Sequence, residues 1–333
     1  MGIFSQPTVP PLQDALTFAG KCAIVTGASS GLGLAAALHL AQRNVSTLIL
    51  AVRTQKAGET TKSILLADPV VQKQTIKTTI LIYELDLARP SSVAAFASKV
   101  VTEVPQLNIL LLNAGMGSLE WRVTPETNTE EVFQINYLSN AILSVRLLPL
   151  LRATAQSSGE KSWLSIVGSR MIPLHSFTKY PVPDTTSLFA FLNDRAHFRG
   201  MARYSDTKLL VSMWVHELAK HTDASVVAVN NVCPGMVRTN IQANQPWWVK
   251  GLVGIIQGIR GRTPEVGART LINAVSGAGP ETHGELLGDF TIWENTFLGT
   301  EQGKKMETKL WEETLAAIES SAPGSVEEAK LKN

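Results

Sequence analysis

Short, fully apolar runs alternate along most of the chain with longer segments that have helical periodicity. The first two runs are Cys22–Thr26 and Thr47–Val52, and residues 32–43 between them have the composition of a buried helix. Strands that are apolar throughout are typical of a parallel sheet covered on both faces, and strands that alternate with helices indicate an α/β fold. Further strands are predicted at 78–85, 107–112, 162–167, 225–232 and 285–293, and further helices at 55–67, 91–103, 130–155, 204–221, 264–274 and 303–319.

The alternation continues without a linker or an internal repeat, which predicts a single domain at residues 20–320. Residues 1–19 contain three prolines and no apolar run, so we expect a loose N-terminal arm. Residues 321–333 are predicted to be a polar, frayed tail. The stretch 171–203 is long and irregular, and such a loop in a compact domain is usually functional or disordered.

Composition excludes several classes of protein. The 333 residues are 44% hydrophobic and 17% charged, which rules out a disordered chain. Lys+Arg number 30 against 28 Asp+Glu, so the chain lacks the basic excess of a nucleic-acid groove. No apolar run approaches the roughly 20 residues of a membrane span. Two cysteines, Cys22 and Cys233, cannot build a disulfide framework; we expect free thiols on separate strands and a cytoplasmic location.

The turn after the first predicted strand has the glycine pattern of a phosphate-binding loop. Gly27 permits a tight turn, Gly31 lets the backbone approach a pyrophosphate, and Gly33 lets the helix pack on the strand. The N-terminus of that helix offers free N–H groups and a partial positive charge. The turn therefore predicts a dinucleotide site formed by Gly27, Ser29, Ser30, Gly31, Leu32 and Gly33.

Tyr204 and Lys208 lie four residues apart on a predicted helix, so their side chains share one face. An ammonium group near a phenol favours the phenolate and lowers the pKa of the tyrosine, which otherwise is about 10. A tyrosine tuned in this way can give a proton to a carbonyl oxygen or take one from an alcohol near neutral pH. Ser169, after the fifth strand, would hold the substrate oxygen by a hydrogen bond.

These motifs occur in the order found in the short-chain dehydrogenase/reductase family, which the chain resembles from residue 20 to about residue 293. The motifs on which the resemblance rests are TGxxxGxG at Thr26–Gly33, NAG at Asn113–Gly115, YxxxK at Tyr204–Lys208, and Pro234-Gly235. Fungal secondary-metabolism and retinol-dehydrogenase-like members look most similar. The resemblance implies a Rossmann fold of about seven strands in the order 3-2-1-4-5-6-7.

The resemblance also implies residue roles. Lys208 would bind the nicotinamide ribose as well as tune Tyr204, and Asn136 would support a water-linked proton path to Lys208. Tyr204 itself would line the cofactor site. The remaining cofactor contacts implied are Asn113, Ala114, Gly115, Pro234, Gly235, Val237 and Thr239.

The end of the second strand indicates NADP rather than NAD. NAD enzymes place an acidic residue there to bond the ribose 2′-hydroxyl, but this chain has Arg53, followed by Lys56. A guanidinium pairs with a 2′-phosphate that a carboxylate would repel. Asp86 and Leu87 resemble the adenine-binding pair of the family, although Asp86 could instead cap the next helix.

These features predict an NADP(H)-dependent oxidoreductase that reduces a ketone or aldehyde, or oxidises the alcohol, of a hydrophobic small molecule. An isomerase or cyclase using the same site, and a non-catalytic dinucleotide sensor or scaffold protein, stay open as alternatives. The histidines have no metal-ligand spacing, so no metal is predicted.

The substrate side is predicted more coarsely. Aromatic residues of the 171–203 insert would either line the pocket or pack the insert onto the body. Residues 240–262, with Trp247 and Trp248, are predicted to be a substrate lid; an interfacial helix giving weak peripheral membrane association is the alternative. A homo-oligomer could pair through the helices at 130–155 and 204–221, unless the insert and the C-terminal extension block it.

Overall fold

The computed structural model describes residues 6–238 and 261–331 of the chain. Eight strands in this part form one sheet, which confirms the predicted α/β class. The strands are β1 (Cys22–Thr26), β2 (Thr47–Val52), β3 (Thr79–Glu84), β4 (Ile109–Leu112), β5 (Ser162–Val167), β6 (Val227–Cys233), β7 (Leu286–Gly288) and β8 (Thr291–Trp293). Their order is β3-β2-β1-β4-β5-β6-β7-β8, with every neighbouring pair parallel except β7 and β8.

Helices cover both faces of the sheet. They are α1 (Gly31–Gln42), α2 (Gln55–Ala67), α3 (Pro69–Gln72), α4 (Pro90–Glu103), α5 (Glu131–Phe133), α6 (Ser139–Ser158), α7 (Leu188–Leu192), α8 (Gly200–Lys220), α9 (Pro264–Ala274), α10 (Glu301–Ser321) and α11 (Ser325–Glu328). A π-helical turn, Gln134–Leu138, joins α5 to α6, and short 3₁₀ turns lie at Ile172–Leu174, Arg195–His197 and Pro280–Thr282. No helix among the described residues is both long enough and apolar enough to cross a membrane.

Two apolar cores lie on opposite faces of the sheet. Helices α4, α6 and α8 contribute to one core, and α1, α2 and α9 contribute to the other. Strands β1, β4, β5 and β6 are buried at every position, as expected for strands with both faces covered. The order in which the chain adds strands to the sheet reverses between β1 and β4: β2 and β3 lie on one side of β1, and β4 to β8 lie on the other. In sheets of this kind, ligands bind outside the carboxyl ends of the strands at such a switch point.

The last predicted strand, residues 285–293, is a hairpin of two strands instead of one continuous strand. Gly288 pairs with Thr291 across a two-residue turn. Asp289 and Phe290 occupy that turn with φ angles of +55° and +67°, as a type I′ turn requires. The hairpin adds an eighth, antiparallel strand to the predicted order, and the Asp289 side chain in its turn is buried.

Both termini pack more closely than predicted. In the arm, Leu12 and Phe18 are buried in the core beside α1. In the tail, Gly324 adopts a φ of +84° and returns the chain to the body, where Val326 and Leu331 are buried. Apolar residues spaced along the tail therefore decide its position, which a largely polar composition had concealed.

The 171–203 insert packs onto the body through its aromatic side chains. Phe177, Phe191 and Leu192 are buried in the core on the α8 side of the sheet. Phe189 meets Phe133 edge to face, at 5.0 Å between ring centroids. Of the two predicted roles for these residues, packing accounts for most of them.

Candidate active site

The glycine turn between β1 and α1 has the shape that a pyrophosphate needs. Gly27 has a φ of +66° and Gly31 a φ of +53°, a region that side chains disfavour. A Cβ atom on Gly33 would lie 2.2 Å from the carbonyl oxygen of Gly27, so only glycine allows α1 to approach the strand here. Ser30 begins the helix without a side-chain cap, and the first turn carries no acidic residue. The first N–H groups of α1 are thus left for an anion.

The flanks of this turn are tied to the end of β4. Thr26 Oγ1 accepts hydrogen bonds from the backbone N–H groups of Asn113 at 2.9 Å and Ala114 at 3.0 Å. Asn113 Nδ2 donates to the carbonyl oxygen of Thr26 at 2.8 Å. The glycine turn and the segment at Asn113–Gly115 therefore form one surface at the switch point. Ser29 and Ser30 are exposed on it, and Leu32 is half-buried.

Ser169, Tyr204 and Lys208 lie together at the carboxyl end of β5. Lys208 Nζ donates to the carbonyl oxygen of Val167, the last residue of β5, at 2.7 Å. The same Nζ lies 5.7 Å from the centroid of the Tyr204 ring. Ser169 follows β5 by two residues, and its Oγ accepts from the N–H of Met171 at 3.1 Å. A phenol, a hydroxyl and an ammonium therefore lie close to one another at this strand end.

Burial governs the ionisation of Tyr204 and Lys208. It raises the pKa of Tyr204 to about 12, and hydrogen bonding by the Ser169 hydroxyl lowers it only in part. It lowers the pKa of Lys208 to about 8. The expected lowering of the Tyr204 pKa is thus wrong for this structure, because desolvation of the phenolate raises that pKa. Near neutral pH the phenol keeps its proton and the amine is still largely charged.

Asn136 lies in the π-helical turn between α5 and α6, where one extra residue widens the helix. Its Oδ1 accepts from the N–H of Met116, and its Nδ2 donates to the carbonyl oxygen of Met116, both at 2.8 Å. Nδ2 also lies 3.0 Å from Thr207 Oγ1. A Cβ on Gly115 would sit 3.2 Å from Asn136 Oδ1 and 3.5 Å from Lys208 Nζ. Asn136 therefore links the loop after β4 to α8 beside the lysine.

The predicted cofactor-selecting residues lie where β2 meets α2. Arg53 is exposed, and its guanidinium has no hydrogen-bond or ion-pair partner within the described chain. Lys56 is exposed in the first turn of α2, which has no acidic residue. The sequence did not predict that Glu84 of β3 would lie beside Val52, the residue before Arg53, in the pairing of β2 with β3. Its carboxylate accepts from the N–H of Gln55 at 2.8 Å and so already has a partner.

Asp86 lies beside the helix α4 but does not cap it. Its Oδ1 accepts from the N–H of Ala88 at 3.1 Å, and its own N–H donates to Ser92 Oγ at 3.0 Å. Arg89, not Asp86, is the residue that precedes α4. Leu87 is buried, and its carbonyl oxygen accepts from Ser139 Oγ at 2.6 Å. The alternative in which Asp86 serves as the helix cap is therefore wrong.

The loop after β6 packs against helix α9. Pro234 is buried and Gly235 has a φ of +78°. Val237 is buried and lies against Gly267 of α9. A Cβ atom on Gly267 would lie only 2.6 Å from Val237 Cγ2. Thr239, with residues 240–260 of the predicted lid, lies outside the described residues.

An ion-pair cluster that the sequence did not reveal joins the two sides of the site. Asp289 in the β7–β8 turn pairs with Arg170 Nη2 at 2.7 Å and Arg262 Nη2 at 2.5 Å. Arg170 directly follows Ser169, while Arg262 Nη1 donates to the carbonyl oxygen of Pro234 at 3.0 Å. One buried carboxylate thus holds the serine segment and the loop after β6. The only sequence signal was a Gly-Asp step inside a predicted strand.

A cavity of about 370 Å³ opens beside Ser169. Its apolar wall includes Ile172, Leu286, Trp293 and Phe297, and its polar wall includes His175. Ser169, Arg170, Thr178, Glu294, Asn295, Thr296 and Thr300 also line it, so the cavity combines an apolar wall with several polar groups and could hold a small organic molecule that carries oxygen atoms. The insert therefore contributes to the pocket through its first residues, while Phe177 and Phe191 are buried in the core.

A second cluster lies on the far part of α8, where it meets α10. His216 Nδ1 lies 2.6 Å from Glu307 Oε1, and ligand atoms of His216, Glu217 and Glu307 come within 4.8 Å of one another. The sequence spacing gave no sign of this group. Lys220 pairs with both glutamates, at 2.5 Å to Glu217 and 3.5 Å to Glu307, so a cation already lies beside both carboxylates.

The two cysteines are free and buried, as predicted. Cys22 begins β1 and Cys233 ends β6, with β4 and β5 between them in the sheet. Cys233 Sγ accepts from the N–H groups of Arg170 at 3.1 Å and Gly235 at 3.4 Å. The thiol thus joins the same two loops as Asp289.

Comparisons with known proteins agree with this architecture. The model of the short chain dehydrogenase family matches residues 21–161 and 192–250. A short chain dehydrogenase of the fungus Arthrobotrys oligospora is 39% identical over 320 residues, covering 96% of this chain and 98% of that protein. Two solved structures share the fold. L-sorbose reductase from Gluconobacter frateurii, complexed with NADPH and L-sorbose, has a TM-score of 0.59 at 20% identity and covers 82% of this chain and 95% of that chain.

The second is a 7α-hydroxysteroid dehydrogenase complexed with NADH and 7-oxoglycochenodeoxycholic acid. It has a TM-score of 0.59 at 18% identity and covers 82% of this chain and 93% of that chain. The family match spans more than half of the chain, and the fungal relative spans nearly all of it. Together with a doubly wound sheet and a glycine turn at its switch point, they show that the chain belongs to the short-chain dehydrogenase/reductase family, whose members bind a nicotinamide dinucleotide.

Proposed function

We propose that this protein is an NADP(H)-dependent oxidoreductase that reduces a ketone or aldehyde of a small hydrophobic molecule, or oxidises the corresponding alcohol. The observation that carries the proposal is the grouping of Ser169, Tyr204 and Lys208 at the end of β5, beside a cavity of about 370 Å³. When bound, the dinucleotide supplies or accepts the hydride. The residues of the chain bind it, orient the substrate and move the proton.

In this proposal Tyr204 is the proton donor. Burial raises the pKa of Tyr204 to about 12, so the phenol is protonated at neutral pH and can donate to a carbonyl oxygen as that oxygen becomes an alkoxide. Ser169 lies on the wall of the cavity and would orient the same oxygen by a hydrogen bond. A charged Lys208 would stabilise the phenolate left behind, since an opposite charge nearby favours the ionised form.

Lys208 and Asn136 would restore the proton. The ammonium, with a pKa of about 8, can exchange a proton near neutral pH more readily than an ordinary lysine. The Asn136 side chain already bonds Met116 and Thr207, so we assign to it the role of holding the loop after β4 and α8 in position beside Lys208. Water that reaches Lys208 between the loop after β4 and α8 would complete the path by which the proton is restored.

The preference for NADP rests on Arg53. Solved proteins of this fold are complexed with NADH in one case and NADPH in the other, so the fold leaves the choice open. Arg53 is exposed at the end of β2 and has no partner within the described residues, which leaves its guanidinium available to a 2′-phosphate. The carboxylate of Glu84 accepts a hydrogen bond from the N–H of Gln55 and forms no ion pair with Arg53 among the described residues.

A panel of ketones and aldehydes, assayed by the loss of NADPH absorbance with purified protein, tests the proposal. Turnover with NADPH, and slower turnover with NADH, would support it. Product formed without net consumption of NADPH would favour an isomerase or cyclase. Tight NADPH binding with no chemistry on any substrate would favour a dinucleotide sensor.

A further inference from the structure

His175 lines the cavity beside Ser169, and two contacts hold its ring. Its Nδ1 accepts a hydrogen bond from the backbone N–H of Phe177 at 3.2 Å. Its ring meets Phe297 edge to face, at 4.4 Å between centroids. Phe177 is fully buried, and its carbonyl oxygen accepts from Gln302 Nε2 at 2.8 Å. The ring therefore has little freedom to turn.

The neighbouring residue fixes this segment to the helix that carries Tyr204. Asp206 is buried two residues after Tyr204 in α8. Its carboxylate accepts from the backbone N–H of Ser176 at 2.6 Å and from Ser176 Oγ at 3.0 Å. A pair of charge-assisted hydrogen bonds to one carboxylate is strong and directional. The position of His175 relative to Tyr204 is thus set by a short and buried connection.

The bond to Nδ1 also determines the tautomer of His175. A ring nitrogen that accepts a hydrogen bond carries no proton, so in the neutral imidazole Nε2 carries it and is a donor. Burial lowers the pKa of His175, which favours that neutral form at physiological pH. In residues 6–238 and 261–331, no group accepts a hydrogen bond from Nε2. His175, a half-buried residue of the cavity wall, therefore has a donor at Nε2 with no partner in the part of the chain that the structure describes.

We propose that His175 Nε2 donates a hydrogen bond to an oxygen atom of the substrate other than the reacting carbonyl oxygen. The substrate class is then an oxygenated ketone or aldehyde, with an ether, hydroxyl or second carbonyl on an otherwise apolar frame. Ile172, Leu286 and Phe297 contact the frame, and His175 selects the oxygen. This inference rests on the proposed reductase function and narrows its substrate.

A matched pair of substrates tests the proposal. Acetylnaphthalene and its ring-methoxy analogues differ by a methoxy group, whose oxygen can accept a hydrogen bond but cannot donate one. Wild-type protein should have a higher kcat/KM for at least one methoxy compound, through a lower KM. His175→Phe keeps the ring contact with Phe297 but removes the donor, and should reduce that preference by about tenfold, since a hydrogen bond contributes about 1.5 kcal/mol at most when neutral.

Three further variants make the result specific. His175→Gln keeps an N–H donor and should retain part of the preference. His175→Met removes the donor with a flexible side chain, in case the Phe variant does not fold. His197→Phe changes another histidine of the insert, one that stacks on Phe191 at 4.1 Å and does not line the cavity, and should keep the full preference. No methoxy preference in the wild type, or an unchanged preference in both apolar variants, would overturn the proposal.

Binding separates this inference from the reductase proposal. If no compound is turned over, the reductase proposal fails, and the same pair is compared by isothermal titration into protein saturated with NADP. Tighter binding of a methoxy analogue by the wild type than by His175→Phe still supports the role of His175. Equal affinities for the two proteins would overturn it.

Discussion

Lys208 Nζ donates a hydrogen bond to the carbonyl oxygen of Val167 at 2.7 Å, which fixes the ammonium at the end of β5, two residues before Ser169. The lysine side chain is only 3% exposed, and no carboxylate pairs with it among the described residues. A buried ammonium with a single neutral acceptor is costly to the folded state. Its position is explained by chemistry at the site better than by stability.

Lys208→Met should therefore make the protein more stable and inactive. A lysine pKa lowered from 10.5 to about 8 corresponds to roughly 3 kcal/mol of cost for holding the charge. The lost hydrogen bond to Val167 offsets about 1 kcal/mol, so we expect a net gain of about 1–2 kcal/mol at neutral pH. Urea unfolding of both proteins measures it.

The stability gained by Lys208→Met should shrink as the pH rises. The cost of the charge is fully present below about pH 8, where Lys208 is protonated in both states. Between about pH 8 and 10.5 the folded state releases the proton first, so wild-type stability rises relative to the variant and the gain shrinks. Lys220→Met, on the same helix but half exposed, should show no such gain. A less stable Lys208→Met protein at neutral pH would contradict the argument.

Tyr204→Phe should abolish turnover and leave NADPH binding intact. Only the phenolic oxygen is removed, and positioned proton donors contribute roughly 10²- to 10⁴-fold to rate. Steady-state kcat and fluorescence titration of NADPH measure the two quantities separately. Tyr180→Phe, at an exposed tyrosine of the insert, serves as the control. An unchanged kcat would assign the proton transfer to another group.

Arg53→Ala should raise KM for NADPH about 10- to 100-fold while KM for NADH changes little. A hydrogen bond to a charged group contributes about 1.5–3 kcal/mol, and only NADPH carries the 2′-phosphate that would receive it. Lys73→Ala removes an exposed cation that follows α3 and should change neither constant. Equal changes for the two cofactors would remove the case for NADP.

Asp289→Ala should lower both stability and activity. The substitution leaves Arg170 and Arg262 without the carboxylate that pairs with both, and removal of one member of a buried ion pair costs about 3–5 kcal/mol. Because these arginines hold the segments at Ser169 and Pro234, KM should rise at temperatures where the protein is still folded. Thermal melts and steady-state kinetics measure the two effects.

Asp223→Ala is the control for that experiment. Asp223 is an exposed carboxylate that accepts from Ser225 at the start of a loop, and its loss should change KM little. A stable Asp289→Ala protein with an unchanged KM would show that the cluster does not position the site.

Much of the fold follows from local sequence. The apolar runs predicted β1 and β2 at the observed limits, because a strand buried on both faces is hydrophobic at most positions. The glycine turn was equally legible, since Gly27 and Gly33 are required by backbone geometry within a few residues. In contrast, the start of α8 was placed four residues late, at Tyr204 instead of Gly200, because the insert conceals the helix boundary.

The pattern of apolar and polar residues along the chain could not predict contacts between distant segments. Asp289, Arg170 and Arg262 come from three parts of the chain, and nothing in the neighbourhood of each signals the others. The position of the tail depends on Val326 and Leu331 finding apolar surface, which its composition does not reveal.

The sequence by itself determined the parallel sheet, the dinucleotide turn and the pairing of Tyr204 with Lys208, because each depends on backbone periodicity or on spacing within one helix. Only the tertiary structure decided the ionisation of these two groups, since desolvation depends on everything that surrounds a side chain. It also decided which residues of the insert face the cavity. The donor at His175 Nε2 depends on the Phe177 N–H that bonds Nδ1, on Phe297 against the ring, and on Asp206, which holds the neighbouring Ser176.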